Sequence, residues 1–353
     1  MTLSKLGLLL GGLLTLATAA GCASNTASSS QAEPVKETPP ANPKPGAAPE
    51  VASLQPRGTI AVSGKIPGGS DLSGIAFSGD LLYVVSDETA HIEVLKKSGD
   101  SYKKSGSVAV GQPDTEVDLE ALAIDGEYVY AIGSHSAARP KQKAKDSYAD
   151  NRAKMAIIQP AGPRDVLARF KPTADGTGTL ETMNLRAMLE SDPVLKPFAA
   201  LPGKENGIDI EGLAVKGKEI YVGFRGPVLR ENYVPILRTS FAKDAAHDLR
   251  FVNLGGRGVR DLAAVKDGFL VLAGPVGEGP GSFQIYFWDG NDCLVGANPL
   301  GKCLLLAELP AHEKGKPEGL TVTSEEEKGY EIVVLMDGVK NGNMTRYHLS
   351  RTK

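Results

Sequence analysis

One short phrase returns five times along the chain, and this repeat limits the fold more than any single residue does. It reads DLSGIAF at 71–77, DLEALAI at 118–124, DIEGLAV at 209–215, VRDLAAV at 259–265 and KPEGLTV at 316–322. After a short turn each copy is followed by a second β-rich run: LLYVVSD, YVYAIGS, EIYVGFR, FLVLAGP and EIVVLMD. The offset is 12 from Ile75 to Asp87, Leu122 to Ser134, Leu213 to Arg225 and Ala263 to Pro275, and 17 in the last copy, where 324–329 is a polar insertion. A unit repeated at such spacing cannot bury its apolar faces alone and must stack on its neighbours.

Two more strands can be read after most pairs. They are HIEVLKK and YKKSGSVAV, DVLARFK and TLETMNL, VPILRTSF and DLRFVNL, then QIYFWDG and CLLLAEL. The fifth unit has only NMTRYHLS, and the run RGTIAVSGK at 57–65 is free to supply its missing strand. That is the closure of an all-β β-propeller, where radial repetition leaves only short edges. Five blades are expected. The interval from Leu122 to Leu213 is 91 residues against 47, 50 and 57 elsewhere, so a long insertion or a sixth blade stays open there. The 41 Gly and 23 Pro fit turns at blade corners.

The beginning of the chain is of another kind. Lys5 precedes an apolar run from Leu6 to Leu16, too short for a comfortable permanent span, so residues 1–21 read as a secretory signal. Ala19-Ala20-Gly21-Cys22 resembles the bacterial lipobox, which implies lipidation of Cys22. Ala23 in the next place favours, by the same resemblance, the outer membrane facing the periplasm in a Gram-negative host. Residues 22–56 then form a Ser/Ala/Pro-rich tether spanning about 30 Å as a coil. The propeller is expected over 57–353. Export places Cys293 and Cys303, which flank a turn in the fourth unit, in an oxidising compartment and predicts a disulfide between them. With 39 basic and 42 acidic side chains, net charge −3, the composition excludes a nucleic-acid binder, and a monomer is expected.

In a propeller the start of each first strand and the end of each second strand meet on one face. The starts carry Asp71, Asp118, Glu120, Asp209, Glu211, Asp261 and Glu318; the ends carry Asp87, Ser134, Arg225, Pro275 and Asp337. Crowded carboxylates repel unless neutralised, and three readings remain. Each acid caps backbone amides or pairs with Arg225, Arg260 and Lys316. Alternatively Asp118, Glu120, Asp209, Glu211, Asp261 and Glu318 hold Ca²⁺, or Glu120, Glu211 and Glu318 are acid/base groups. The basic stretch 138–154 leaves the same face and could cover the mouth or meet anionic polymers or lipid headgroups. Ser134 and His135 point to opposite faces if both lie on a strand and form no dyad. The Gly-rich 274–282 lacks the Lys and the helix of a phosphate loop and is read as a turn.

GSHS at 133–136, IDIEGLAV at 208–215, GFRGPVL at 223–229 and KPEGLTV at 316–322 resemble the bacterial family of domain of unknown function 3616. The first unit is more broadly similar to the phytase-like esterase and SdiA-regulated propeller-like families. That broader likeness implies a Ca²⁺-dependent hydrolase of phosphate or carboxylic esters, with Arg225 as an anion clamp. The residues themselves favour a binding module over an enzyme, with an envelope protein or a small anionic ligand as partner and the membrane reached through Cys22.

Overall fold

In the computed structural model the chain is described over residues 52–112 and 115–351. The signal, Cys22 and the expected tether up to residue 51 lie outside the described residues. The described chain enters through β1 (Leu54–Thr59) and β2 (Ala61–Ser63). The first blade is β3 (Leu72–Ser78), β4 (Leu81–Ser86), β5 (His91–Ser98) and β6 (Ser101–Ala109). The second is β7 (Leu119–Asp125), β8 (Tyr128–Gly133), β9 (Leu167–Phe170) and β10 (Leu180–Met183). The helix α1 (Tyr148–Lys154) precedes β9, and α2 (Arg186–Ser191) follows β10. The third blade is β11 (Asp209–Lys216), β12 (Glu219–Gly226), β13 (Tyr233–Ser240) and β14 (Asp248–Asn253). The fourth is β15 (Gly258–Val265), β16 (Gly268–Gly274), β17 (Gln284–Trp288) and β18 (Cys303–Glu308). The fifth is β19 (Lys316–Glu326), β20 (Gly329–Asp337), β21 (Thr345–Ser350) and, as its outermost strand, β1.

The first strands of the blades neighbour one another in the order β3, β7, β11, β15, β19, and β19 returns to β3. This is a closed five-bladed propeller. β1 pairs antiparallel with β21, Leu54 opposite Leu349, while β2 runs parallel to β6. One entering segment thus stitches the last blade to the first. Its first strand begins at Leu54, inside the stretch expected as tether, where Leu54, Gln55 and Pro56 stand opposite Leu349, His348 and Tyr347. The long interval holds an insertion, not a further blade: α1 lies on an excursion between β8 and β9, and α2 on the crossing to β11.

Apolar faces stacked between blades form the core. Tyr83 meets Phe170 edge-on at 6.0 Å between the first two blades. Between the third and fourth, Phe269 stacks on Trp288 at 4.9 Å and lies 4.4 Å from Tyr221. The small residue in the repeated phrase has a steric reason. A Cβ on Gly74 would stand 2.9 Å from Ala121 Cα, and one on Gly212 2.7 Å from a methyl of Val259. The next inner strand approaches too closely for a side chain.

The expected disulfide is not formed: Cys293 and Cys303 are free thiols. Both pack half-buried against the core shared by the third and fourth blades. Burial, with Asp289 and Asp292 nearby, pushes the Cys293 thiol up to about 12. Disulfide chemistry starts from a thiolate, and a thiol held protonated in this way is inert while reduced.

Candidate functional site at the channel mouth

Each first strand is broken at one residue near its start. The pairing steps from Leu72 to Gly74, Leu119 to Ala121, Ile210 to Gly212, Val259 to Asp261 and Pro317 to Gly319, leaving one residue of each strand out of register. Those residues are Ser73, Glu120, Glu211, Arg260 and Glu318. A bulge re-aims the side chain of its extra residue, and five bulges at one level make a ring. The fourth member is Arg260, not Asp261. The fourth unit therefore sits one residue away from the alignment that the equal offset of 12 suggests.

Arg260 ties this ring together. One guanidinium nitrogen donates to both Glu211 Oε2 at 2.8 Å and Glu318 Oε1 at 2.9 Å, and the other to the Pro275 carbonyl at 3.2 Å. Arg225, at the end of β12, donates to Glu211 Oε1 at 2.8 Å and to the Val276 carbonyl at 2.7 Å, and its second nitrogen lies 3.4 Å from Gly277 O. Its guanidinium also comes within 3.9 Å of Asp209. The neighbouring carboxylates, Glu211 first, stabilise its charge against burial. Pro275 to Gly277 belong to the Gly-rich turn, so that turn anchors two arginines. Both guanidinium groups are buried; all three nitrogens of Arg225 are engaged, whereas Arg260 Nε is buried without a hydrogen-bond partner.

Asp261 is withdrawn from the channel chemistry altogether. Its carboxylate accepts from the Leu262 amide at 2.8 Å and the Leu320 amide at 2.7 Å, joining the fourth blade to the fifth. Ser73 does the same for the first two blades, donating to the Leu119 carbonyl at 2.5 Å. Asp118 accepts from Ser134 and lies 3.6 Å from Arg164. Among the described residues no three carboxylate, imidazole or thiol side chains converge as metal ligands. The Ca²⁺ set expected from sequence is thus dispersed: Asp261 onto amides, Asp118 onto Ser134, Asp209, Glu211 and Glu318 towards arginines.

What remains is an arc of carboxylates without ion pairs across the fifth, first and second blades. Among the described residues Glu120, Asp87, Asp71 and Asp337 form no ion pair, whereas Glu211 and Glu318 do. Glu120 is half-buried. Burial lifts its carboxyl well above the usual range, and Asp118, Glu211, Glu318 and Asp87 push in the same direction. Asp87 is pushed up to about 7 by burial and then by Asp118 and Asp337, and its Oδ1 is buried without a hydrogen-bond partner. Asp337 is raised, chiefly by burial. Glu318 reaches about 8 by burial despite Arg260, and Asp209 about 7 by burial and Glu211. The mouth is therefore bipolar: neutralised at the third and fourth blades, and short of positive charge opposite.

The sequence reading set Asp118, Glu120, Asp209, Glu211, Glu318, Asp87, Arg225 and Asp337 at one mouth; of these, Glu120, Glu211 and Glu318 share the ring and Arg225 is bonded to Glu211. It missed Arg260 as a ring member, and a cleft of about 310 Å³ beside the ring, lined by Arg260, Glu278, Phe283, His312 and Lys316. Ser134 and His135 do diverge. Ser134 faces Asp118, while His135 turns into the insertion, Nδ1 on the Gly133 carbonyl at 2.9 Å, its burial lowering it to about 4. The basic stretch 138–154 does not cover the mouth by ion pairs with these acids; Arg139 goes to Glu205 and Lys154 to Asp146.

Comparison with solved structures gives distant likenesses only. The Myxococcus xanthus glutaminyl cyclase matches at 11% identity and TM-score 0.42, over 85% of this chain and 95% of that one. The PQQ-bound aldose sugar dehydrogenase from Streptomyces coelicolor matches at 14% and 0.41, over 86% and 99%. The Myceliophteria thermophila Cps50 (Swd1) β-propeller domain matches at 10% and 0.38, over 84% and 99%. No activity transfers across likenesses of this kind. Comparison with curated proteins finds no match. Residues 71–349, the five repeated units from Asp71 almost to the end of β21, match the family described as "Protein of unknown function (DUF3616)", and the chain belongs to that family.

Proposed function

We propose that this chain is a binding propeller of the cell envelope, lipid-anchored through Cys22, whose channel mouth takes a compact organic cation. The observation that carries the reading is Glu120. It is a partly exposed ring carboxylate without an ion pair among the described residues, and it feels the charge of Asp87, whose Oδ1 is buried and unpartnered. An amine or guanidinium there supplies both the missing charge and the missing donor. The geometry favours this over an anionic ligand clamped by Arg225, because all three guanidinium nitrogens of Arg225 already donate within the protein. It also favours it over a Ca²⁺-dependent hydrolase, which needs six to eight oxygens around one point.

Calorimetric titration of the intact chain tests the reading, with spermidine, methylguanidinium and CaCl₂ as probes. An organic cation should bind at pH 8, weaken as pH falls through about 7 while Asp87 takes up its proton, and be lost in Glu120→Gln. Unchanged affinity in that variant, or silence from both organic cations, overturns it. Calcium-dependent turnover of generic esters would revive the hydrolase. Anchoring is checked separately: Cys22→Ser should release the protein from the membrane fraction and abolish incorporation of a palmitate analogue.

A further inference from the structure

We propose that the excursion between β8 and β9, residues 139–158, is a docking surface for an anionic lipid bilayer. Its neck is closed where Ala138 and Gln159 exchange backbone hydrogen bonds of 2.9 and 2.8 Å. Beyond the neck stands α1, a helix with no buried residue, capped by the Ser147 side chain on the Asp150 amide. Tyr148, Arg152 and Met155 are four and seven residues apart, hence on one helix face. Tyr148 is 82% exposed, Met155 50%, Ile157 45% and Ile158 46%. Four large apolar side chains left open within eleven residues mark a contact surface.

The charge around them is predominantly positive. Lys141, Lys143, Lys145 and Arg152 are exposed and form no ion pair among the described residues, while Arg139 and Lys154 are held by Glu205 and Asp146. Asp150, the other acid of the excursion, is hydrogen-bonded by Ser147. The excursion is also braced. Arg139 donates to the carbonyls of Met155 and Ile157, and Asn151 exchanges hydrogen bonds of 3.0 and 2.9 Å with the Lys143 backbone.

A soluble polyanion would match the lysines but leave Tyr148, Met155, Ile157 and Ile158 in water. A bilayer rich in anionic lipid takes both parts. The lysines and Arg152 meet headgroup phosphates, Tyr148 sits at the interface, and the Met and Ile side chains enter the acyl boundary. This surface is independent of the cation site and of Cys22.

Trp288 is the only tryptophan and is fully buried, so Tyr148→Trp adds a reporter on α1 that reads local contact whatever the first residues of the chain do. In the full chain carrying Cys22→Ser, its emission should shift to shorter wavelength on phosphatidylglycerol/phosphatidylcholine vesicles and not on phosphatidylcholine alone. Replacing Lys141, Lys143 and Lys145 by Gln should weaken partition about a hundred-fold, about five-fold per lysine near an anionic surface. Ile157→Ser with Ile158→Ser should abolish the shift. Emission unmoved by saturating anionic vesicles, or partition unchanged in the lysine variant, overturns the proposal. So does a shift given by heparin and not by vesicles, which would make the partner a polymer.

Discussion

Asp87→Asn should make the protein more stable at pH 8 and leave it unchanged below pH 4. In the folded chain the Asp87 carboxyl stands at about 7 against 3.8 when free, raised by burial and by Asp118 and Asp337. The folded state therefore binds this proton more tightly than the unfolded state, and stability falls as pH climbs from 3.8 towards 7. At about 1.4 kcal/mol per unit, the ionised group costs up to about 4 kcal/mol above pH 7, and about half of that once its partial contact with solvent is allowed for. Asn keeps the shape and removes the charge. Urea unfolding followed by Trp288 fluorescence at pH 8 and below pH 4 reads the difference as a rise in midpoint at the higher pH only. The same variant should bind organic cations more weakly, the opposing signs expected when stability is given up for function. An equal change at both pH values, or a loss of stability at pH 8, would refute the charge-crowding account of the mouth.

Two other perturbations test the frame around it. Asp261→Ala strips two buried backbone amides, on Leu262 and Leu320, of their acceptor. It should cost about 2–4 kcal/mol in unfolding free energy, while the variant still binds cations at a temperature where it is folded; lost binding there would return Asp261 to the site. Cys293 and Cys303 are free thiols packed against the same apolar core. In the reduced protein neither should react quickly with a thiol reagent, because both are raised by burial. Rapid modification of either thiol in the folded, reduced protein would refute that account.

The blade pattern was legible because it is written in apolar residues, and burial between blades demands them at fixed spacing. The runs that became β4, β8, β12, β16 and β20 lie almost wholly inside the core, so the period needed no help from alignment. The mouth was legible only in part, since a bulge leaves no trace in hydrophobic spacing. In VRDLAAV at 259–265 the apolar positions allow two registers one residue apart, and the equal offset selected the one that put Asp261 in the ring. Electrostatics would have selected the other. Glu120, Glu211 and Glu318 at one level need a countercharge, and Arg260 is the one basic residue in the five repeated phrases able to join them from within the ring; Lys316 lies two residues before its own bulge and pairs outward with Glu278. Placing Arg260 between the third and fifth blades then explains the asymmetry. It reaches Glu211 and Glu318 on either side, whereas Glu120 has Ser73 and Glu211 for ring neighbours and receives no charge from either. The asymmetry follows from a ring of five with a single cation in it: Glu120, two places from the arginine, gets no countercharge from within the ring.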